Sequence, residues 1–253
     1  MQTENTTQQL QTERSLSAEV KLHYDLQPAR HALAPLLIAL HGYGASKRQM
    51  MREAKMIVPE GFAIASLQGS HQHLKDPKEP GGALRFGFGW LTNFRPEESV
   101  AIHHRALLDL IDSLTVEGIA DSKRVFLLGF SQSCALNYRF AFTHPNVLRG
   151  VIGICGGMPG DWDKSELYQP TKAAVFYLSG EHDEFYPPAR IANYAAQLRA
   201  RASDVESRSY DAGHEIVQLM RDDMRSWLEQ KSAATVPDTG SVALGNLPDD
   251  SGI

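Results

Sequence analysis

Cysteine is nearly absent from this chain of 253 residues, with Cys134 and Cys155 the two copies. Both fall in apolar runs, one in an expected helix and one in an expected strand, so no disulfide scaffold is indicated and both read as small core residues. No apolar run approaches the ~20 residues needed to cross a bilayer, which argues against stable membrane insertion. Residues 1–14 are rich in Gln and Thr and carry no apolar stretch of the kind a secretory leader needs, so the cytoplasm is the expected residence. Positive charge is not in excess. Twenty-five Lys and Arg face 30 Asp and Glu, a formal net charge of −5, which leaves no basic footprint for nucleic acid. There is no internal repeat. Gly81-Gly82 and the Gly87/Gly89 pair lack the strand-to-helix spacing of a phosphate cradle and read as loop residues.

The chain does contain short strand-like and helix-like stretches in alternation, the pattern of an α/β fold with a mostly parallel twisted sheet covered by helices on both faces. Strands are expected over 16–26, 36–40, 62–67, 124–130, 150–155, 173–178 and 205–210. Helices are expected over 47–58, 96–116, 132–143, 188–201 and 215–230. Pro96 followed by Glu97 and Glu98 suits a helix start, where the missing proline N–H costs nothing and acids face the positive end of the dipole. One working domain is expected over residues 15–230, after a polar extension at 1–14 and before a tail at 231–253 that has no hydrophobic periodicity. A chain of this length can bury ~70–75% of its unfolded surface in one core.

One segment carries chemistry more plainly than the rest. The apolar run 124–130 stops at Ser131 within Gly129-Phe130-Ser131-Gln132-Ser133, and a helix-compatible stretch follows, which is how a nucleophile elbow reads. A serine hydroxyl needs a base within hydrogen-bond reach and a carboxylate to hold that base in the useful tautomer. Asp183 follows the strand run 173–180, and His214 follows the alternating run 205–210. The order Ser, Asp, His, with each member in a loop after a strand, is that of a hydrolytic triad on an α/β sheet. Acyl transfer also needs donors for the developing oxyanion. The strand 36–40 runs into His41-Gly42-Tyr43-Gly44, a turn whose backbone is freed by its glycines, so the N–H groups of Tyr43 and Gln132 are the candidate donors. Taken singly, Ser131 as a helix cap, Asp183 as a turn former and His214 as a helix-start residue have ordinary structural explanations. Their joint order and the glycine-rich turn favour catalysis.

His41-Gly42-Tyr43-Gly44, Gly129-Phe130-Ser131-Gln132-Ser133, the segment ending in His182-Asp183 and Ala212-Gly213-His214 together resemble the phospholipase/carboxylesterase family of α/β-hydrolases, over roughly residues 33–228. The resemblance implies the α/β-hydrolase fold without a large separate cap domain. It also implies a cofactor-free and metal-free serine esterase acting through an acyl-enzyme on carboxylic esters with small to medium acyl groups. Acyl-protein thioesterase and feruloyl or polymer esterase activity are the alternatives on the same scaffold, and a non-catalytic binding module is the alternative of another class. The implied partner is a small-molecule ester or thioester, and pairing into a homodimer is left open. Trp90, Gly42 and Phe185 are the candidate substrate-binding residues, Trp90 because residues 89–92 resemble the tryptophan loop bordering the family's acyl pocket. Ser133 stands where the family has glycine and is expected to fit with a slight shift of the helix. Residues 68–94, rich in His, Lys, Pro and Gly, are expected to form a long polar loop, which argues against long acyl chains. His71 and His73 lack a third ligand nearby in sequence and carry no metal reading. His182 reads as a surface loop residue.

Overall fold

The computed structural model describes residues 14–77 and 79–233. The expected extension at 1–14 and tail at 231–253 therefore lie almost wholly outside the described residues. Strands β1 (Tyr24–Gln27), β2 (Ala34–Leu40) and β3 (Ala63–Leu67), with helix α1 (Lys47–Ile57) between the second and third, build one side of the sheet. A hairpin of β4 (His71–Lys75) and β5 (Arg85–Gly89) precedes the long helix α2 (Pro96–Val116). Then follow β6 (Ala120–Phe130), α3 (Gln132–Thr143), β7 (Gly150–Ile154), β8 (Ala174–Gly180), the short α4 (Pro188–Ile191) and α5 (Tyr194–Arg199), β9 (Val205–Tyr210) and α6 (Gln218–Ala233).

Among the described residues the main sheet runs in the order β1-β3-β2-β6-β7-β8-β9. It is parallel throughout except for β1, which pairs antiparallel with β3 at the edge. β2 is apolar along its whole length because both of its faces are covered. Leu36, Ile38 and Leu40 pack with α2, α3 and α5, while Leu37 and Ala39 pack with α1 and α6. This is the doubly covered α/β sheet of the α/β-hydrolase fold.

Two expectations need correction. Residues 68–94 are not a featureless loop, since β4 and β5 pair antiparallel from His71↔Gly89 to Lys75↔Arg85. Glycine hid the second strand from a propensity reading. A Cβ on Gly87 would come within 2.6 Å of both the His73 ring and the Lys75 side chain, so the glycine lets these two side chains lie across the hairpin as they do. The expected strand at 16–26 narrows to Tyr24–Gln27, the stretch that finds a ladder partner in β3.

Candidate functional site

Ser131 lies between the last residue of β6 and the first of α3, with φ 57° and ψ −115°. Non-glycine residues rarely adopt such backbone angles, and holding one there costs on the order of 1–3 kcal/mol. The surroundings over-determine it. Its N–H donates to the Ile154 carbonyl at 2.9 Å, and its carbonyl accepts from Cys134 N–H at 3.1 Å. Gly129 is required because a Cβ there would come within 2.6 Å of the Asn137 amide on α3. A sharp strand-to-helix reversal at this distance leaves the serine hydroxyl projecting above the carboxyl end of the sheet.

His214 and Asp183 reach the same place from two further loops at that end. The Ser131 hydroxyl is 2.9 Å from His214 Nε2, and His214 Nδ1 is 2.9 Å from Asp183 Oδ2. The other carboxylate oxygen, Oδ1, accepts from the N–H groups of Phe185 and Tyr186 at 2.9 Å each. Burial works to raise the Asp183 pKa, but the hydrogen bonds from His214 and from the Tyr186 and Phe185 N–H groups outweigh it, leaving it below the ordinary carboxylate value. A carboxylate that stays charged fixes the proton of His214 on Nδ1 and leaves Nε2 as the acceptor facing Ser131. The arrangement can therefore take a proton from the hydroxyl.

The thiol of Cys155 also lies here, with one ligand atom each of Cys155, Asp183 and His214 within 4.8 Å of one another. Burial pushes the Cys155 thiol up to about 12, so it is protonated at neutral pH and poorly suited to a metal. The carboxylate and ring are already engaged with each other.

The glycine-rich turn adjoins Ser131. A Cβ on Gly42 would stand 3.2 Å from Ser131 Cβ and 3.0 Å from the Phe130 ring, so glycine lets the turn approach Ser131 without crowding it. Gln132 is the first residue of α3, and its N–H has no intrahelical acceptor. His41 turns its ring into the protein and holds the turn from behind. Its Nε2 accepts from Gly69 N–H at 3.0 Å, which places the ring proton on Nδ1, 2.8 Å from the Gly42 carbonyl. Burial lowers the His41 pKa to about 4, so the ring is neutral.

Trp90 is not placed as expected. Its indole is 1% exposed and donates from Nε1 to the His41 carbonyl at 2.8 Å, so it buttresses the turn instead of lining an open pocket. Phe185 is 57% exposed, and its ring lies edge-on to His214 at 4.8 Å, a position from which it can meet a bound molecule. The sequence reading missed the side chain of Gln132. Its Oε1 accepts from Trp90 N–H at 2.8 Å and its Nε2 donates to the Leu91 carbonyl at 3.0 Å, tying the segment after β5 to the elbow. The only signal for this was an amide side chain next to Ser131. His182 is at the surface, 2.9 Å from Asp211. His71 bonds the Ser99 hydroxyl at 2.9 Å, and the His73 ring stacks on Tyr43 at 4.6 Å. A groove of about 690 Å³ between residues 18–24 and α2 is lined by Leu22, Tyr24, Ile102 and Leu110 among others, and none of the site residues borders it.

Comparison with known proteins bears on the family and the fold. The chain is 26% identical over 163 residues to the putative esterase NocK of Nocardia uniformis, a match covering 63% of this chain and 43% of that protein. The chain thus spans under half the length of this curated relative. The Bacillus cereus carboxylesterase superimposes with a TM-score of 0.64 at 18% identity, covering 83% of this chain and 94% of that one. The acyl-protein thioesterase 2 of Zea mays does so with a TM-score of 0.61 at 16% identity, covering 83% and 99%. At such identities the two structures speak to the fold alone. A family model described as Phospholipase/Carboxylesterase matches residues 23–232, nearly all of the described chain, and the chain belongs to that family of α/β-hydrolases.

Proposed function

We propose that this protein is a serine hydrolase that cleaves carboxylic esters with small to medium acyl groups, with Ser131, His214 and Asp183 as its triad. The observation that carries the reading is the pair of 2.9 Å hydrogen bonds linking a strained elbow serine to a histidine and the histidine to a buried carboxylate. Nε2 of His214 takes the Ser131 proton as Oγ attacks the substrate carbonyl carbon. Asp183 stabilises the imidazolium that forms. The carbonyl oxygen, now an oxyanion, is received by the N–H groups of Tyr43 and Gln132. The tetrahedral species collapses as His214 protonates the departing alcohol oxygen, leaving an acyl-enzyme. Water, deprotonated by the same ring, then releases the acid and restores the serine. No cofactor enters these steps.

Small to medium acyl groups are favoured by what lies over the turn. The hairpin presents His73, stacked on Tyr43, and Lys75, whose Nζ bonds the Gly44 carbonyl at 3.1 Å, so polar side chains border the site on that side. Phe185 and Tyr43, both exposed, supply apolar contact at the rim, with Gly42 leaving room beside the nucleophile. Two free, unpaired cysteines suit a reducing compartment, and the cytoplasm is the proposed place of action. Among the described residues no helix is long and apolar enough to cross a membrane. Ser131→Ala, assayed on nitrophenyl acetate, butyrate and palmitate, is the direct test. Wild type should prefer the two shorter esters, and the variant should lose at least ~10³-fold in kcat while keeping its thermal midpoint. A variant that retains the wild-type rate would place the nucleophile elsewhere.

A further inference from the structure

Ser133 occupies the position where the elbow motif otherwise has glycine, and its side chain is fully buried. A helix needs nothing from that hydroxyl, and a close strand-to-helix approach favours its removal. Its partners suggest why it is present. Ser133 Oγ accepts from the N–H of Phe130, the last residue of β6, at 3.0 Å. It lies 3.0 Å from the carbonyl of Leu40, the last residue of β2, and 3.0 Å from that of Phe130, and its single proton serves these two acceptors. β2 and β6 are parallel neighbours with Leu40 opposite Gly129, so both strands stop beside this hydroxyl. Beyond Leu40 the chain enters the His41-Gly42-Tyr43 turn. Beyond Phe130 it enters Ser131 and Gln132.

The backbone of Ser133 is held as well. With its amide oriented to satisfy both ends, Asn137 donates to the Ser133 carbonyl and to His103 Nε2 and accepts from Gly129 N–H, each at 3.3 Å. His103 in turn meets the Trp90 ring edge-on at 5.6 Å, and Trp90 holds the His41 carbonyl. The hydroxyl thus ties the two strand ends together, beyond their ladder, within a buried polar network beneath the site.

From this geometry we infer that Ser133 is a positioning residue for the hydrolysis proposed above: its hydroxyl fixes the spacing between the Tyr43 N–H on one strand end and the Ser131–Gln132 elbow on the other. The inference rests on that proposal, because the spacing matters only if an oxyanion forms between the two. A purely local cap would bond Phe130 alone; the bond to Leu40, 93 positions away in sequence, is what a positioning role adds. Misplacing one donor by a fraction of an ångström weakens the transition state without changing how the ground-state ester binds.

The test is Ser133→Ala, which keeps the Cβ and deletes the hydroxyl, with Ser133→Gly as the second variant. Both are assayed on nitrophenyl butyrate and titrated with an aryl trifluoromethyl ketone, whose adduct with a serine carries an oxyanion. In each, kcat should fall about tenfold or more, KM should stay within about twofold, and the ketone's inhibition constant should rise by the same factor as kcat/KM falls. Both variants should still unfold cooperatively, with a lowered midpoint because the buried partners of the hydroxyl are left unpaired. A kcat within twofold of wild type in both variants overturns the inference. So does a rise in KM at constant kcat, or loss of the folded state in both, which would assign the hydroxyl to the fold. Failure of the wild-type protein itself to turn over any ester would instead remove the hydrolase reading.

Discussion

Asp183 shows how a single side chain sets the chemistry of its neighbours. Both of its carboxylate oxygens are engaged, one by His214 and the other by two backbone N–H groups, and its pKa lies below the ordinary carboxylate value. It is therefore an anion at neutral pH, and its support is lost as pH falls through that lowered value. Asp183→Asn keeps the shape and removes the charge, so His214 loses its preference for the tautomer that faces Ser131. The expected result is a loss of about 10⁴-fold in kcat at pH 7 with KM little changed; an asparagine variant within tenfold of wild type would show that the carboxylate is not needed. That these three residues meet was legible in the sequence, because each sits in a loop directly after a strand run. Ser133 was legible only as a departure from a motif. Its role depends on the Leu40 carbonyl, which no local pattern connects to it.

Elements with strong local signals fell where the sequence placed them. Helix α2 begins at Pro96 and ends at Val116, α3 spans Gln132–Thr143 and β9 spans Val205–Tyr210, all as the patterning indicates. Elements defined by distant partners did not. The β4–β5 hairpin pairs a mostly polar strand with one that alternates Phe and Gly, and the expected helix at 188–201 divides into α4 and α5. Helix α6 starts at Gln218, three residues later than periodicity suggests, which leaves His214 in a loop free to face the elbow. Trp90 joins the segment after β5 to the end of β2 through its indole N–H. Trp90→Phe keeps most of the ring volume and removes that donor, so it should destabilise the protein by roughly 1–3 kcal/mol in urea unfolding and slow turnover through the slackened turn. Unchanged stability and rate together would mean that the indole contributes volume alone.

At the scale of the whole molecule, buried neutral histidines make the fold sensitive to acid. Burial lowers His41 to about 4 and, with repulsion from His104, lowers His103 to about 3; His104 is lowered to about 4 by partial burial and by the charges of His144 and Arg139. The unfolded chain takes up protons on these rings near the ordinary value of about 6.5, whereas the folded chain does not until far lower pH. Stability is therefore full above pH 6.5 and is lost as pH falls from there toward 4. Each of the two most buried rings, His41 and His103, should cost on the order of 2 kcal/mol between pH 6.5 and 5. Urea unfolding at pH 7 and pH 5 measures this, with a markedly lower midpoint expected at pH 5; a midpoint independent of pH over that range would mean that the rings are protonated in the folded state. The central claim concerns one hydroxyl among the many in the chain. Incubation of the intact protein at pH 7.5 with a fluorophosphonate, followed by peptide mass analysis, tests it most directly. A single adduct on Ser131, absent from Ser131→Ala and strongly slowed in His214→Ala, is the predicted result, whereas no adduct, or one on another residue, would contradict it.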